Sequence, residues 1–447
     1  MILVILAFLS LGIAWGVQQW TIKRRKQSVS RDGKENGALF NNPEGKKNWG
    51  DWDPIEYVYP SFGPWLEFNE KTTRPIPYRP FRWGPNYPIN MGIRPMKPDN
   101  WIQLDNHYHK TLDIRRHRTN IQGELATRTL PGYLPHAEEV LQELSSFLSI
   151  RYPHCFTVTR FTYNSRNEKT WGDSMVGKEG GAVKSIHNKL TNEFWDFEAI
   201  RNEEGEAWNP MRIAGLLGQD DLAVMVEGTD GQYYFQAGSI CTAGFWRLQD
   251  KIGLPLEEIH SRGRVPGWKD KLKPSMERFF QKLKVDKSVE RNNYFFQIDD
   301  QLAWSQNTNG PEPIFDQGLK APKNDLLAQS DDPTWKAPAE THDPSNVYFR
   351  TERQSLRRMP KTGCILFTIR TYFHRVIEIA PEPGVPGRMA SAIRSWPTHV
   401  ASYKGAELYG RCLLPYLDDL HEKQVKEGIV EQDEEGNWKA NDNRYPF

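Results

Sequence analysis

One tight turn between two strand-like segments limits the fold of this chain more than any other feature. Leu222–Val226 and Gln232–Ala237 flank Gly228-Thr229-Asp230-Gly231, and the Asp-Gly pair supplies the positive-φ positions that a hairpin turn requires. Further strands are expected over Cys155–Tyr163, Tyr294–Ile298, Val347–Arg353 and Cys364–Tyr372. Apolar residues at helical spacing (Trp101, Leu104, Tyr108 and Leu112) predict a helix over Asn100–Arg118. Others are expected over Leu134–Ile150, Leu256–His260, Leu272–Leu283 and Ser402–Lys426. Hairpins with segregated helices, and no repeating β-α-β order, predict an α+β fold on an antiparallel sheet.

The start of the chain suggests an address. Met1–Val17 is an uncharged apolar run near the lower length limit for a spanning helix, followed by Trp20 and by Lys23-Arg24-Arg25-Lys26. Charges on the C-terminal flank, and no small-residue cleavage site, predict a transmembrane signal anchor over residues 1–20. The N-terminus would then be translocated and the rest of the chain cytosolic. Residues 21–75 read as a polar tether that partly wraps the domain, 305–346 as a loop insertion and 426–447 as a charged tail. A net charge of +1 over 447 residues gives no field to draw nucleic acid. The four cysteines are far apart, without metal-ligand spacing, which argues against a zinc site or a disulfide framework and fits a reducing compartment.

The common catalytic signatures (GxSxG, Walker, GxGxxG and HExxH) are missing. Asp51-Trp52-Asp53 has the shape of a glycosyltransferase DxD, but it lies in the tether, and such an enzyme would need the opposite orientation. His107 and His109 point apart on a helix, so a shared metal is not expected. Two other segments are more informative. In the first, Gly238–Leu248 runs on to Lys251–His260 and Val265-Pro266-Gly267. His260 closes a short amphipathic helix and is held there by the turn that follows; such a residue either packs or ligates. The second is Arg350-Thr351-Glu352-Arg353-Gln354-Ser355-Leu356-Arg357-Arg358-Met359-Pro360. On a strand, Arg350 and Glu352 share one face while Thr351 and Arg353 share the other. These arginines either bind an anion or form a salt-bridged edge strand.

The RxERQxLxRxP motif with its FTIR strand (Arg350–Arg370) resembles the haem-dependent oxidative N-demethylase α-subunit-like family. Pro80–Pro95, Trp101–Tyr108, Arg151–Phe156 and Lys251–His260 are similar to the same family in the same order, so the resemblance spans residues 76–425. It implies a PAS-like domain, an antiparallel sheet with helices on it, holding haem b. It also implies oxygen-dependent removal of a methyl group from a small secondary amine, a monooxygenase-like oxidation. Electrons would come through flavin and iron–sulfur centres on a separate reductase, since this chain carries no motif for either. By the same resemblance His260 is the axial iron ligand. Arg350, Glu352, Arg353 and Arg357 belong to the pocket or its support, Glu352 and Arg353 nearest the chemistry, and Trp246 and Gln236 are pocket-wall residues. The turn from His260 to Gly267 is longer than the family's compact one. The alternatives are a haem sensor or carrier without turnover and a haem-free scaffold.

Overall fold

The computed structural model describes residues 48–202, 208–309, 312, 339–434 and 436–440. Ten strands carry the architecture: β1 (Arg94–Pro95), β2 (Thr127–Thr129), β3 (Phe156–Arg160), β4 (Val183–Asn188), β5 (Glu193–Asp196), β6 (Asp220–Glu227), β7 (Tyr233–Ser239), β8 (Val289–Gln297), β9 (Tyr348–Arg358) and β10 (Ile365–Arg375). Seven form one antiparallel sheet in the order β1-β8-β9-β10-β6-β7-β2, and β3-β4-β5 form a small second sheet. The expected hairpin is β6–β7, turning through residues 228–232. Around the sheet lie α1 (Tyr108–Gln122), α2 (Leu134–Arg151), α3 (Pro210–Leu217), α4 (Leu256–Arg262), α5 (Lys273–Lys282), α6 (Val385–Arg394) and α7 (Gly410–Lys426). The α+β architecture on an antiparallel sheet is therefore observed.

Strand alternation splits the sheet into two unlike faces. Leu222, Val224, Ala237 and Leu366 pack with α2 and α3 into one core, and Tyr294, Phe296 and Phe349 pack with α6 and α7 into another. The opposite face carries Ala223, Met225, Phe235, Leu356 and Ile365. On it lies the helical segment between β7 and β8, through Leu256, Trp268, Leu272, Met276 and Phe280. Near 2 kcal/mol per fully buried large side chain, either core is ample to hold its helices.

The N-terminal segment from residue 49 onward is a strap laid on the first face. Backbone bonds from Ile55 to Pro360 (2.9 Å), Tyr59 to Ser174 (2.7 Å) and Trp65 to Arg151 (2.7 Å) fix it. Of Asp51-Trp52-Asp53, the tryptophan docks, its indole donating to the Pro360 carbonyl at 2.9 Å while both acids are exposed.

Two expectations need correction. Among the described residues no helix is long and apolar enough to cross a membrane, so the structure gives no support to a single-pass protein with a cytosolic domain. The run at 1–20 lies outside the described residues, as does most of the 305–346 insertion. The helix expected from Asn100 begins only at Tyr108. Before it, the Asp105 carboxylate takes the His107 N–H at 2.9 Å, and the Asp105 N–H goes to Gln219 at 3.0 Å, which holds Trp101–Asn106 in a non-helical path.

Arg357 shows how the first face is held. Its guanidinium donates to Glu143 on α2 at 2.7 Å and to Ser174 at 2.5 Å. It also lies 4.3 Å from the Tyr59 ring and 4.4 Å from the Trp101 ring, with both charges fully buried. Arg357→Met would leave the Glu143 carboxylate buried without its cation and should lower unfolding free energy by about 3–5 kcal/mol. Urea unfolding measures this. Adding Glu143→Leu should recover most of the loss, and a neutral single variant would contradict the argument.

Candidate functional site

Strand β9 runs between β8 and β10 from Tyr348 to Leu356, in the registers Arg350↔Phe295 and Glu352↔Asn293 on one side and Arg350↔Phe373 and Glu352↔Thr371 on the other. Directly opposed residues share a face. Arg350, Glu352 and Gln354 therefore stand with Arg291, Asn293 and Phe295 on the face that α4 covers. Thr351, Arg353, Ser355 and Arg357 stand on the other.

The central strand reports a recess on the α4 side. Phe367 lies mid-strand in β10 with strands on both sides, yet it is only partly buried, while its neighbours Leu366 and Thr368 are sealed. Ile89, Met91, Trp246, Ile259 and Val265 border the same core and are likewise partly exposed. Tyr403 keeps 36% of its surface accessible. Desolvation nevertheless lifts its phenol to about 12, the combination expected of a group lining a deep hollow.

His260 sits in the last turn of α4. Its Nδ1 is 2.7 Å from the Leu256 carbonyl four residues back, so Nδ1 carries the proton and donates. Nε2 therefore holds the free lone pair, and this atom is neither hydrogen-bonded nor sealed off among the described residues. The ring stacks on Trp268, centroids 4.3 Å apart and planes within 12°. Trp268 opens a π-helical turn, Trp268–Leu272, entered through Gly267 in the left-handed region. Desolvation first, then the positive charges of Lys251 and Arg291, press the imidazole down to about 4, so it is neutral at physiological pH. Lys251 is itself lowered to about 8 by burial, and its ammonium donates to the Ile259 carbonyl at 2.8 Å, closing the α4 C-terminus.

On the sheet side, Glu352 is 6% exposed. It accepts from Gln354 Nε2 at 2.8 Å through Oε2, while Oε1 lies 4.0 Å from Arg350 Nε. Desolvation raises its pKa, opposed by Arg350 and Arg291. Lys404 donates to the Tyr294 carbonyl at 2.6 Å above the Tyr294, Phe295 and Trp396 rings. Burial lowers it to about 7, Glu352 opposing and Arg291 reinforcing.

The candidate residues thus separate. Arg350 is on the recess face, but its guanidinium donates to the carbonyls of Leu302 (2.7 Å) and Thr242. It lies against Gly244, where φ is +84° and a Cβ would come within 2.5 Å of Cζ, so only glycine fits there. Arg353 is on the far face, donating to Glu290 at 2.7 and 3.0 Å and to the Trp101 carbonyl at 3.1 Å. Arg357 is on that far face with Glu143. Both belong to the frame behind the sheet, not to the hollow. Trp246 is on the recess side, edge-on to Phe235 at 6.4 Å. Gln236 falls where the β6–β7 register shifts, and its carbonyl accepts from the Leu130 N–H at 2.9 Å. Asp221 ties the loop that carries Trp246 through Cys241 N–H (2.7 Å) and Thr242 N–H (2.9 Å).

Sequence reasoning missed Arg291, Tyr403 and Lys404. Arg291 interacts electrostatically with His260 on one side and with Glu352, Tyr87 and Tyr403 on the other. Its Nε is buried without a partner. Among the described residues no three His, Cys, Asp or Glu side chains gather around a point where a bare metal ion could bind.

An α+β domain with a polar hollow under a single neutral imidazole is the class that fold and site define. Residues 92–414 match the family described as haem-dependent oxidative N-demethylase, alpha subunit-like, and the chain belongs to that family. The matched span contains His260, Arg291, Glu352 and Lys404.

The depressed His260 pKa has a consequence without any ligand. The unfolded imidazole takes up its proton near pH 6.5 and the folded one only near 4. The stability it confers is full above about 6.5 and is lost as pH falls toward 4. The haem-free protein should therefore weaken over that interval, and His260→Gln should cut proton uptake on unfolding by about one. Denaturant midpoints measured against pH test this; equal slopes for variant and wild type would refute the assignment.

Proposed function

We propose that this chain binds haem b in the hollow through His260 and uses dioxygen to remove a methyl group from a small amine. The observation that carries the reading is the His260 imidazole: neutral, its tautomer set by the Leu256 carbonyl, its Nε2 lone pair directed away from any partner. An iron ligand needs that protonation state and that second bond. The partly exposed surfaces of Trp246, Phe367, Ile89 and Met91 suit the apolar faces of a porphyrin. The five central strands, with the α4–α5 segment laid across one side, fit a PAS-like scaffold.

Haem, when bound, supplies the site for dioxygen activation and electron storage. The net reaction takes a secondary N-methylamine, dioxygen, two electrons and two protons to the demethylated amine, formaldehyde and water. A separate flavin/iron–sulfur reductase supplies the electrons. The protein's own residues perform the rest. Glu352 faces the hollow and orients the amine. Lys404, balanced near neutrality and within electrostatic reach of Glu352, holds a proton that can be delivered there. Arg350, with Gly244 above it, fixes the loop that walls the hollow. Arg353 and Arg357 hold the sheet rigid from behind.

Haem-reconstituted protein should show a Soret band that His260→Ala abolishes or shifts. With a chemical electron donor and air it should release one formaldehyde per dioxygen consumed from an N-methylamine. Glu352→Gln should lower that rate by about 10²-fold with little change in the Soret band. An unaltered spectrum in His260→Ala would place the ligand elsewhere. Haem and oxygen binding without formaldehyde from any secondary amine would make the chain a sensor or carrier.

A further inference from the structure

Among the charged groups of the hollow, Arg291 is the least satisfied. It lies on β8 opposite Gln354 and diagonal to Glu352, on the same face of the sheet. Its Nε is buried without a partner, and no described residue forms a hydrogen bond or ion pair with its Nη atoms. A guanidinium keeps its charge at any physiological pH, so a desolvated one without an anion is costly. Glu352 is the nearest carboxylate in charge terms, yet the two do not close an ion pair. Diagonal neighbours on adjacent antiparallel strands are separated by about 7–8 Å. Glu352 Oε1 also lacks a hydrogen-bond donor, its nearest cation being Arg350 Nε at 4.0 Å. The hollow thus presents one open cation and one open anion, side by side and not joined. Around them stand two phenols, Tyr87 and Tyr403, both interacting electrostatically with Arg291.

We propose that the substrate is a zwitterionic N-methylamino acid, its carboxylate taken by Arg291 and its methylated ammonium by Glu352. This rests on the demethylase reading above and narrows its substrate class. A simple dialkylamine would satisfy Glu352 and leave Arg291 bare. A zwitterion bridges both, giving the part-buried Arg291 guanidinium an anion and Glu352 Oε1 a donor at once. The adjacent charges of an amino acid are closer together than the two side chains, so both side chains can reach it from their strands. Lys404 does not compete for the carboxylate, because its ammonium is committed to the Tyr294 carbonyl under three aromatic rings. Arg350 does not compete either, being bonded to two backbone carbonyls.

The test uses the full haem-loaded chain, with N-methylglycine and dimethylamine as probes, followed by Soret difference spectra and by calorimetry. N-methylglycine should bind at least about tenfold more tightly than dimethylamine, the factor expected for one added charge-assisted contact. Arg291→Gln should abolish that preference by weakening N-methylglycine alone, and Arg291→Lys should restore part of it. Equal binding of the two probes by the wild type would overturn the proposal. So would an Arg291→Gln variant that loses haem while keeping its fold, since Arg291 would then serve the porphyrin's own carboxylates. Either result leaves the demethylase reading intact, because dimethylamine binding and the Soret band survive in the wild type. Failure of that reading would appear separately, as a wild-type chain with no Soret band.

Discussion

Burial of cations on both faces of one central strand is the constraint on which the rest of this structure depends. Arg350, Arg353, Arg357 and Arg358 lie within eleven residues of β9, and each is essentially without solvent. An unpaired charge there would cost several kcal/mol, a large share of the stability of a domain. Each therefore has a dedicated partner supplied from far along the chain. Glu290 comes from β8, Glu143 from α2, the carbonyls of Thr242 and Leu302 from the loops beside the hollow, and those of Phe280 and Leu283 from the end of α5, where Arg358 donates at 2.6 Å to Leu283. Strand, helix and loop are positioned together because the same guanidinium groups need all three.

This arrangement divides the side chains of β9 between the two faces by residue parity. Odd-numbered positions of β9 face the large apolar cores, where Arg353 and Arg357 pair with Glu290 and Glu143. Even-numbered positions face α4, where Glu352 and Gln354 retain atoms without partners. Both faces keep buried polar atoms without partners, among them Arg357 Nε and Asp220 Oδ1 behind the sheet and Arg291 Nε and Gln354 Oε1 on the His260 side.

Much of this could be read from the chain alone, for identifiable reasons. The β6–β7 hairpin was legible because Asp230-Gly231 states its own turn chemistry, and the two-faced split of Arg350, Glu352, Thr351 and Arg353 followed from alternation. Arg291 was not legible. Val289–Asn293 reads VERNN, a polar stretch with no apolar period, and becomes a strand only because β9 lies beside it. Tyr403 and Lys404 were hidden differently. One helix was expected from Ser402 to Lys426, but Gly405 adopts a left-handed conformation and breaks it, and α7 starts at Gly410. Both side chains precede that break, which redirects them. Val183–Asn188 lacks strict alternation, and Val385–Arg394, though amphipathic, opens on Pro386-Gly387, a pair that signals a turn.

The parallel stack of Trp268 on His260 has one more consequence. With its Nδ1–H held by Leu256 and one π-face covered by an indole, the imidazole cannot spin about its Cβ–Cγ bond without losing both contacts. Whatever binds Nε2 meets a ring with a single azimuth. A metal centre there would experience one orientation of ligand field across the whole population of molecules, and its magnetic anisotropy would be correspondingly sharp.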